Sequence, residues 1–121
     1  MLYQYPLKNV EGFSIIGLKV SFPPGAASPP HRHGGASVAA VVVSGTAYNK
    51  MNNDPTLLKQ AGESWYEAPG CHHKTSANAS DTEPMELVAT FVVETKVVEE
   101  NGFGALVQVD EEYKDIQFSH S

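Results

Sequence analysis

Glycine and proline cut this sequence into pieces too short for long helices. Pro23-Pro24-Gly25, Asn52-Asn53-Asp54-Pro55, Ala61-Gly62 and Pro69-Gly70 all carry turn chemistry. Proline fixes its own φ and restricts the residue before it, while glycine reaches positive φ without strain. Between these breaks the apolar residues recur with period two. Leu18, Val20 and Phe22 share one face of the stretch from Phe13 to Phe22, and Lys19 and Ser21 take the other, which predicts a half-buried strand. Ser37 to Val43 is rich in β-branched valine and predicts a strand covered on both faces, broken at Ser44-Gly45 and resumed through Thr46-Ala47-Tyr48. Shorter strands are expected over Thr56 to Lys59, Ser64 to Glu67 and His73 to Ser76. Met85 to Val98 reads as one long strand, with Leu87, Ala89, Phe91 and Val93 in alternation. No ten-residue stretch has helical spacing, and only Asp110 to Asp115 offers a short terminal helical turn. Many short strands without an internal repeat or linker predict one all-β domain over residues 1–121, a sandwich or a small antiparallel barrel.

Charge and composition narrow the partners. A formal net charge of −6 argues against nucleic acid and against anionic membrane surfaces, both of which need a basic face. The longest uninterrupted apolar run, Val38 to Val43, is strand length and far short of the roughly 20 residues needed to cross a bilayer. The first residues show no basic segment followed by an apolar one, and the lone cysteine, Cys71, offers no internal disulfide. The expectation is a cytoplasmic protein whose partner is a small molecule.

Histidine placement suggests the chemistry. His31 and His33 are two apart on an extended approach stiffened by Pro29-Pro30, so their imidazoles point the same way from Cα atoms roughly 6.5–7 Å apart. A bare His-x-His is a weak signal, since such a pair is more often two solvated loop histidines. His72 and His73 are adjacent, so in an extended segment only one of them can join that pair. His120 reads as a tail residue. Asn78-Ala79-Ser80 fits a glycosylation sequon and is read as a chance match.

Two segments carry a family resemblance. Gly25, five residues, His31-Arg32-His33, four residues, Val38, six residues and Gly45 resemble the first cupin motif, over about residues 25–45. Gly62 through Ala68-Pro69-Gly70-Cys71-His72-His73 to Asn78 resembles the second, over about residues 62–78. The resemblance implies a small single-domain cupin, a jelly roll or double-stranded β-helix of antiparallel strands with a metal in the barrel mouth. Carried over by position, it implies His31, His33 and His73 as metal ligands, with His72 a competitor because the proline and asparagine of the second motif are each displaced by one. It also implies a homodimer, and Val92-Val93 and Val97-Val98 are the apolar stretches expected to lie at pairing edges.

One departure stands out. The family's fourth ligand, a glutamate, falls at position 38 or 37, where this chain has Val38 and Ser37, and no carboxylate occurs between His33 and Asp54. Three neutral imidazoles would leave a divalent ion at +2, favouring an anionic ligand and acidifying bound water. The donors suit iron, zinc, nickel, copper or manganese better than calcium or magnesium. Around this set, Cys71 is a possible soft outer ligand or simply a small buried residue, Glu67 a possible outer-shell partner or general base, and Tyr66 a possible pocket wall. Three functions follow: a three-histidine metal-dependent oxygenase on a small anionic substrate, a non-catalytic small-molecule binder or sensor, and a metal-free isomerase, epimerase or lyase.

Overall fold

The computed structural model describes residues 1–109, so the helical turn expected at Asp110 to Asp115, and His120, lie outside the described residues. The strands are β1 (Tyr3–Pro6), β2 (Phe13–Phe22), β3 (Ala27–Ser28), β4 (His31–Arg32), β5 (Ser37–Ser44), β6 (Thr46–Met51), β7 (Leu57–Gln60), β8 (Ser64–Glu67), β9 (His73–Asn78), β10 (Met85–Glu94) and β11 (Gln108–Val109). Helix α1 (Thr95–Asn101) and a 3₁₀ turn (Phe103–Leu106) intervene before β11. One sheet runs β1-β2-β10-β5-β8 and the other β11-β4-β9-β6-β7, with β3 also paired to β9. The described pairings are antiparallel. This is a jelly-roll sandwich.

Alternation builds the core. Met85, Leu87, Ala89, Phe91 and Val93 on β10 face inward against Val38, Ala40 and Val42 on β5 and against Ile16 and Phe22 on β2. Burying such side chains contributes about 1.5–3 kcal/mol each for the larger ones, which fixes the register because a one-residue slip would turn the whole set to water. On β2 the expected division holds, and Lys19 and Ser21 on the outer face both contact Glu86. Gly45, the last residue of the first motif, has φ +80° at the turn between β5 and β6, and a Cβ there would stand 2.6 Å from the Pro84 carbonyl oxygen. Only glycine fits that corner.

Three sequence expectations are corrected. The β5 strand is covered on one face, not two: Val41 and Val43 are exposed while Val38, Ala40 and Val42 are buried. A continuous apolar run does not reveal how many of its faces are covered, and a two-layer sandwich covers one. The long strand stops at Glu94, opposite Phe13 at the start of β2, and Thr95–Asn101 is helical. The Thr95 N–H still donates to the Gly12 carbonyl at 2.8 Å, but beyond it the described residues offer no paired strand, so the chain closes its own backbone bonds and drops Val98 into the core. Finally, Val92-Val93 lie on a central strand and Val97-Val98 on α1, so neither pair forms a free sheet edge. Among the described residues no helix is long and apolar enough to cross a membrane.

Candidate metal centre

Strand pairing gathers the histidines. His31 on β4 is the register partner of His73 on β9, and His33 follows β4 just before a turn closed by Ala36 N–H donating to its carbonyl. The rings of His31 and His33 lie 4.7 Å apart between centroids, those of His31 and His73 5.0 Å, and those of His33 and His73 6.1 Å. All three are buried, and one nitrogen from each lies within 4.8 Å of the others. Bonds of about 2.0–2.1 Å would let one ion draw three such nitrogens onto itself.

Each ring is held from behind. His31 Nδ1 donates to the Pro29 carbonyl at 2.7 Å, and His33 Nδ1 donates to the Leu106 carbonyl at 2.6 Å. A carbonyl only accepts, so both protons sit on Nδ1 and Nε2 presents the lone pair. His73 is turned the other way: its Nε2 donates to Asn49 Oδ1 at 2.5 Å, leaving Nδ1 inward. Burial pushes the His73 imidazole down to about 4, against the pull of the Glu67 carboxylate, so the ring is neutral at physiological pH.

A carboxylate joins them. Glu67, at the end of β8, is 2% exposed, and its Oε1 lies 2.8 Å from His33 Nε2 and 3.3 Å from His73 Nδ1. Its Oε2 accepts from the Trp65 indole at 2.9 Å. Burial works to raise the Glu67 pKa, but the neighbouring His33 and His73 outweigh it, and the carboxyl stays below its ordinary range. Three inward atoms, His33 Nε2, Glu67 Oε1 and His73 Nδ1, are nevertheless buried without a hydrogen-bond partner. At 2.8 Å the His33–Glu67 contact is near enough for a hydrogen bond but is not aligned for one. Electron-rich atoms facing one another out of water are costly unless a proton or a metal cation lies among them. The site therefore fits a metal ion, and His31, His33 and His73 could hold one.

Residues 18–92 match the Cupin domain family. The chain belongs to the cupin family. Among solved cupins and their likenesses, oxalate oxidase in complex with the substrate analogue glycolate superposes with a TM-score of 0.56 at 23% identity, over 72% of this chain and 48% of that one. This cupin thus spans about half the length of that protein. The cupin domain of Schizosaccharomyces pombe Cnp3 gives 0.60 at 18% identity, over 81% and 64% of the two chains. KdgF from Halomonas sp. gives 0.56 at 17% identity, over 71% and 84%. At these identities the likeness concerns the fold. No curated protein matches the sequence.

The other candidates fall around the centre of this cupin in different ways. His72 is outside the cluster, its backbone N–H and carbonyl both bonded to Asn52. Cys71 is half-buried at the surface turn, accepts from Asn52 Nδ2 at 3.5 Å, and is outside the cluster. Burial and the Glu67 charge raise its thiol pKa, which makes a thiolate ligand unfavourable. Tyr66 is 61% exposed and bonds Ser37 on the outer face, so it does not line the cavity. Glu67 lies beside the histidines, its Oε1 2.8 Å from His33 Nε2, while the atoms that lie mutually within 4.8 Å are those of His31, His33 and His73. Asn49 and the Leu106 carbonyl were not foreseen. Asn49 has a signal of sorts, an uncharged polar residue in alternation with Ala47 and Met51 on the inward face of β6. The Leu106 carbonyl has none, since backbone contacts 73 residues apart leave no trace in residue types.

Proposed function

We propose that this cupin is a metalloprotein in which His31, His33, His73 and Glu67 hold one divalent transition ion, iron, zinc, nickel, copper or manganese, and that it is a metal-dependent oxidoreductase of the oxygenase kind acting on a small molecule. The observation that carries the metal reading is the convergence of three buried imidazoles, one nitrogen of each within 4.8 Å of the others, with the buried Glu67 carboxylate 2.8 Å from His33 Nε2. A bound ion would supply Lewis acidity to a ligand atom and, if redox-active, electron transfer to dioxygen. The chain's own residues do the rest. Pro29, Asn49 and Leu106 keep the imidazole protons on the outward nitrogens, Trp65 holds the carboxylate's second oxygen, and Leu18, Phe22, Leu87 and Phe91 give the cavity an apolar wall.

The test is elemental analysis of untagged protein, followed by removal and return of each ion with oxygen uptake recorded over a panel of small ligands. One ion per chain with uptake for a panel member supports the reading. Absence of any stoichiometric ion, with no ion rebound, overturns it.

A second reading, a non-catalytic binder or sensor, has one observation in its favour. Among the described residues the cavity is lined by no titratable side chain beyond the four donors. A general acid or base independent of the metal is therefore missing. The same fact weighs against the metal-free isomerase, epimerase or lyase. Stabilisation by a ligand recovered unchanged would favour the binder.

A further inference from the structure

Among the described residues the wall around His31, His33, His73 and Glu67 offers no cation to neutralise a second negative charge. The cavity, about 100 Å³, is bounded by Leu18 and Phe22 from β2, Ala40 from β5 and Leu87 and Phe91 from β10; among the described residues its polar groups besides the donors are Ser28, Ser76 and the Trp65 indole, which is committed to Glu67. None of its described residues is lysine or arginine. Arg32, which stands between two of the histidines in sequence, is exposed and directs its guanidinium to the Gly70 carbonyl at 3.5 Å. Strand alternation sends it outward for the same reason that it sends His31 and His33 inward.

Charge counting then selects the ligand. A divalent ion with three neutral imidazoles and one carboxylate carries +1. One anionic donor brings the centre to zero. A dianion leaves an uncompensated charge against an apolar wall, where burial of an unpaired charge is strongly disfavoured. We infer that the ligand of this cavity has an apolar body and a single anionic donor end, and that dicarboxylates are rejected. This rests on the metal reading above and fixes the substrate class for it.

An isosteric pair of acids provides the test. 3-Methylbutanoate and malonate have the same heavy-atom skeleton, with two methyl groups of the first replaced by two carboxylate oxygens in the second. The full chain is stripped, zinc is returned and its binding measured by calorimetry, and each acid is then titrated while retained zinc is checked by elemental analysis. The expected result is 3-methylbutanoate binding at least about tenfold more tightly than malonate. Val107 lines the cavity and is 42% exposed, so Val107→Lys places an ammonium at the mouth without burying it. In that variant the ratio should shift about tenfold toward malonate. Malonate binding as tightly as 3-methylbutanoate with zinc retained, binding of neither acid, or an unchanged ratio in Val107→Lys overturns this inference alone. A chain that takes up no zinc overturns the metal reading and this inference with it.

Discussion

Val38 and Glu67 are register partners on adjacent antiparallel strands, so a buried carboxylate stands across the ladder from the position where the first motif lacks one. Both side chains line the same cavity.

That relationship predicts a rescue. Glu67→Val removes the carboxylate and should weaken divalent-ion binding by about 100-fold, while adding Val38→Glu should recover most of the loss. Trp65, the only tryptophan and a hydrogen-bond donor to Glu67, makes intrinsic fluorescence the natural readout for ion titrations. If the double variant binds no better than Glu67→Val alone, the two positions are not equivalent.

Asn49 should matter through His73. Its Oδ1 accepts the proton on His73 Nε2 and so keeps Nδ1 as the inward lone pair. Asn49→Ala is expected to lower ion affinity about 10–100-fold, the usual effect of losing an outer partner of a metal-binding histidine. Competition with a fluorescent chelator measures it, and an unchanged affinity would show that the ring is oriented by other contacts.

Acid should destabilise the metal-free protein. His73 has its pKa lowered from 6.5 to about 4 by burial, so between those values the unfolded chain binds a proton that the folded chain refuses. Stability therefore falls as pH drops through that window and is flat above it for this group. Glu67, lowered as well, adds to the loss at still lower pH, since it too must be protonated on unfolding. Urea midpoints at neutral and mildly acidic pH test the sign, and His73→Leu should flatten the part of the slope above pH 4.

Gly45→Ala should cost about 1–3 kcal/mol without touching the metal centre. The residue has φ +80°, and the added methyl meets backbone, which cannot rotate aside. Thermal melting should show the loss while ion stoichiometry stays at the wild-type value.

Residue order alone carried the β pattern, because period-two alternation and turn residues are local properties that strands obey one at a time. It also carried His31 and His33, whose shared direction follows from being two apart in an extended chain, and, through a family resemblance, His73. Tertiary structure decided the rest. Whether His72 or His73 turns inward depends on where β9 begins pairing with β4, and the end of β10 at Glu94 depends on where β2 runs out. Glu67 is the clearest case. From the sequence it is a candidate outer-shell partner or general base, and only the pairing of β5 with β8 sets its buried carboxylate opposite Val38 and beside His33 and His73.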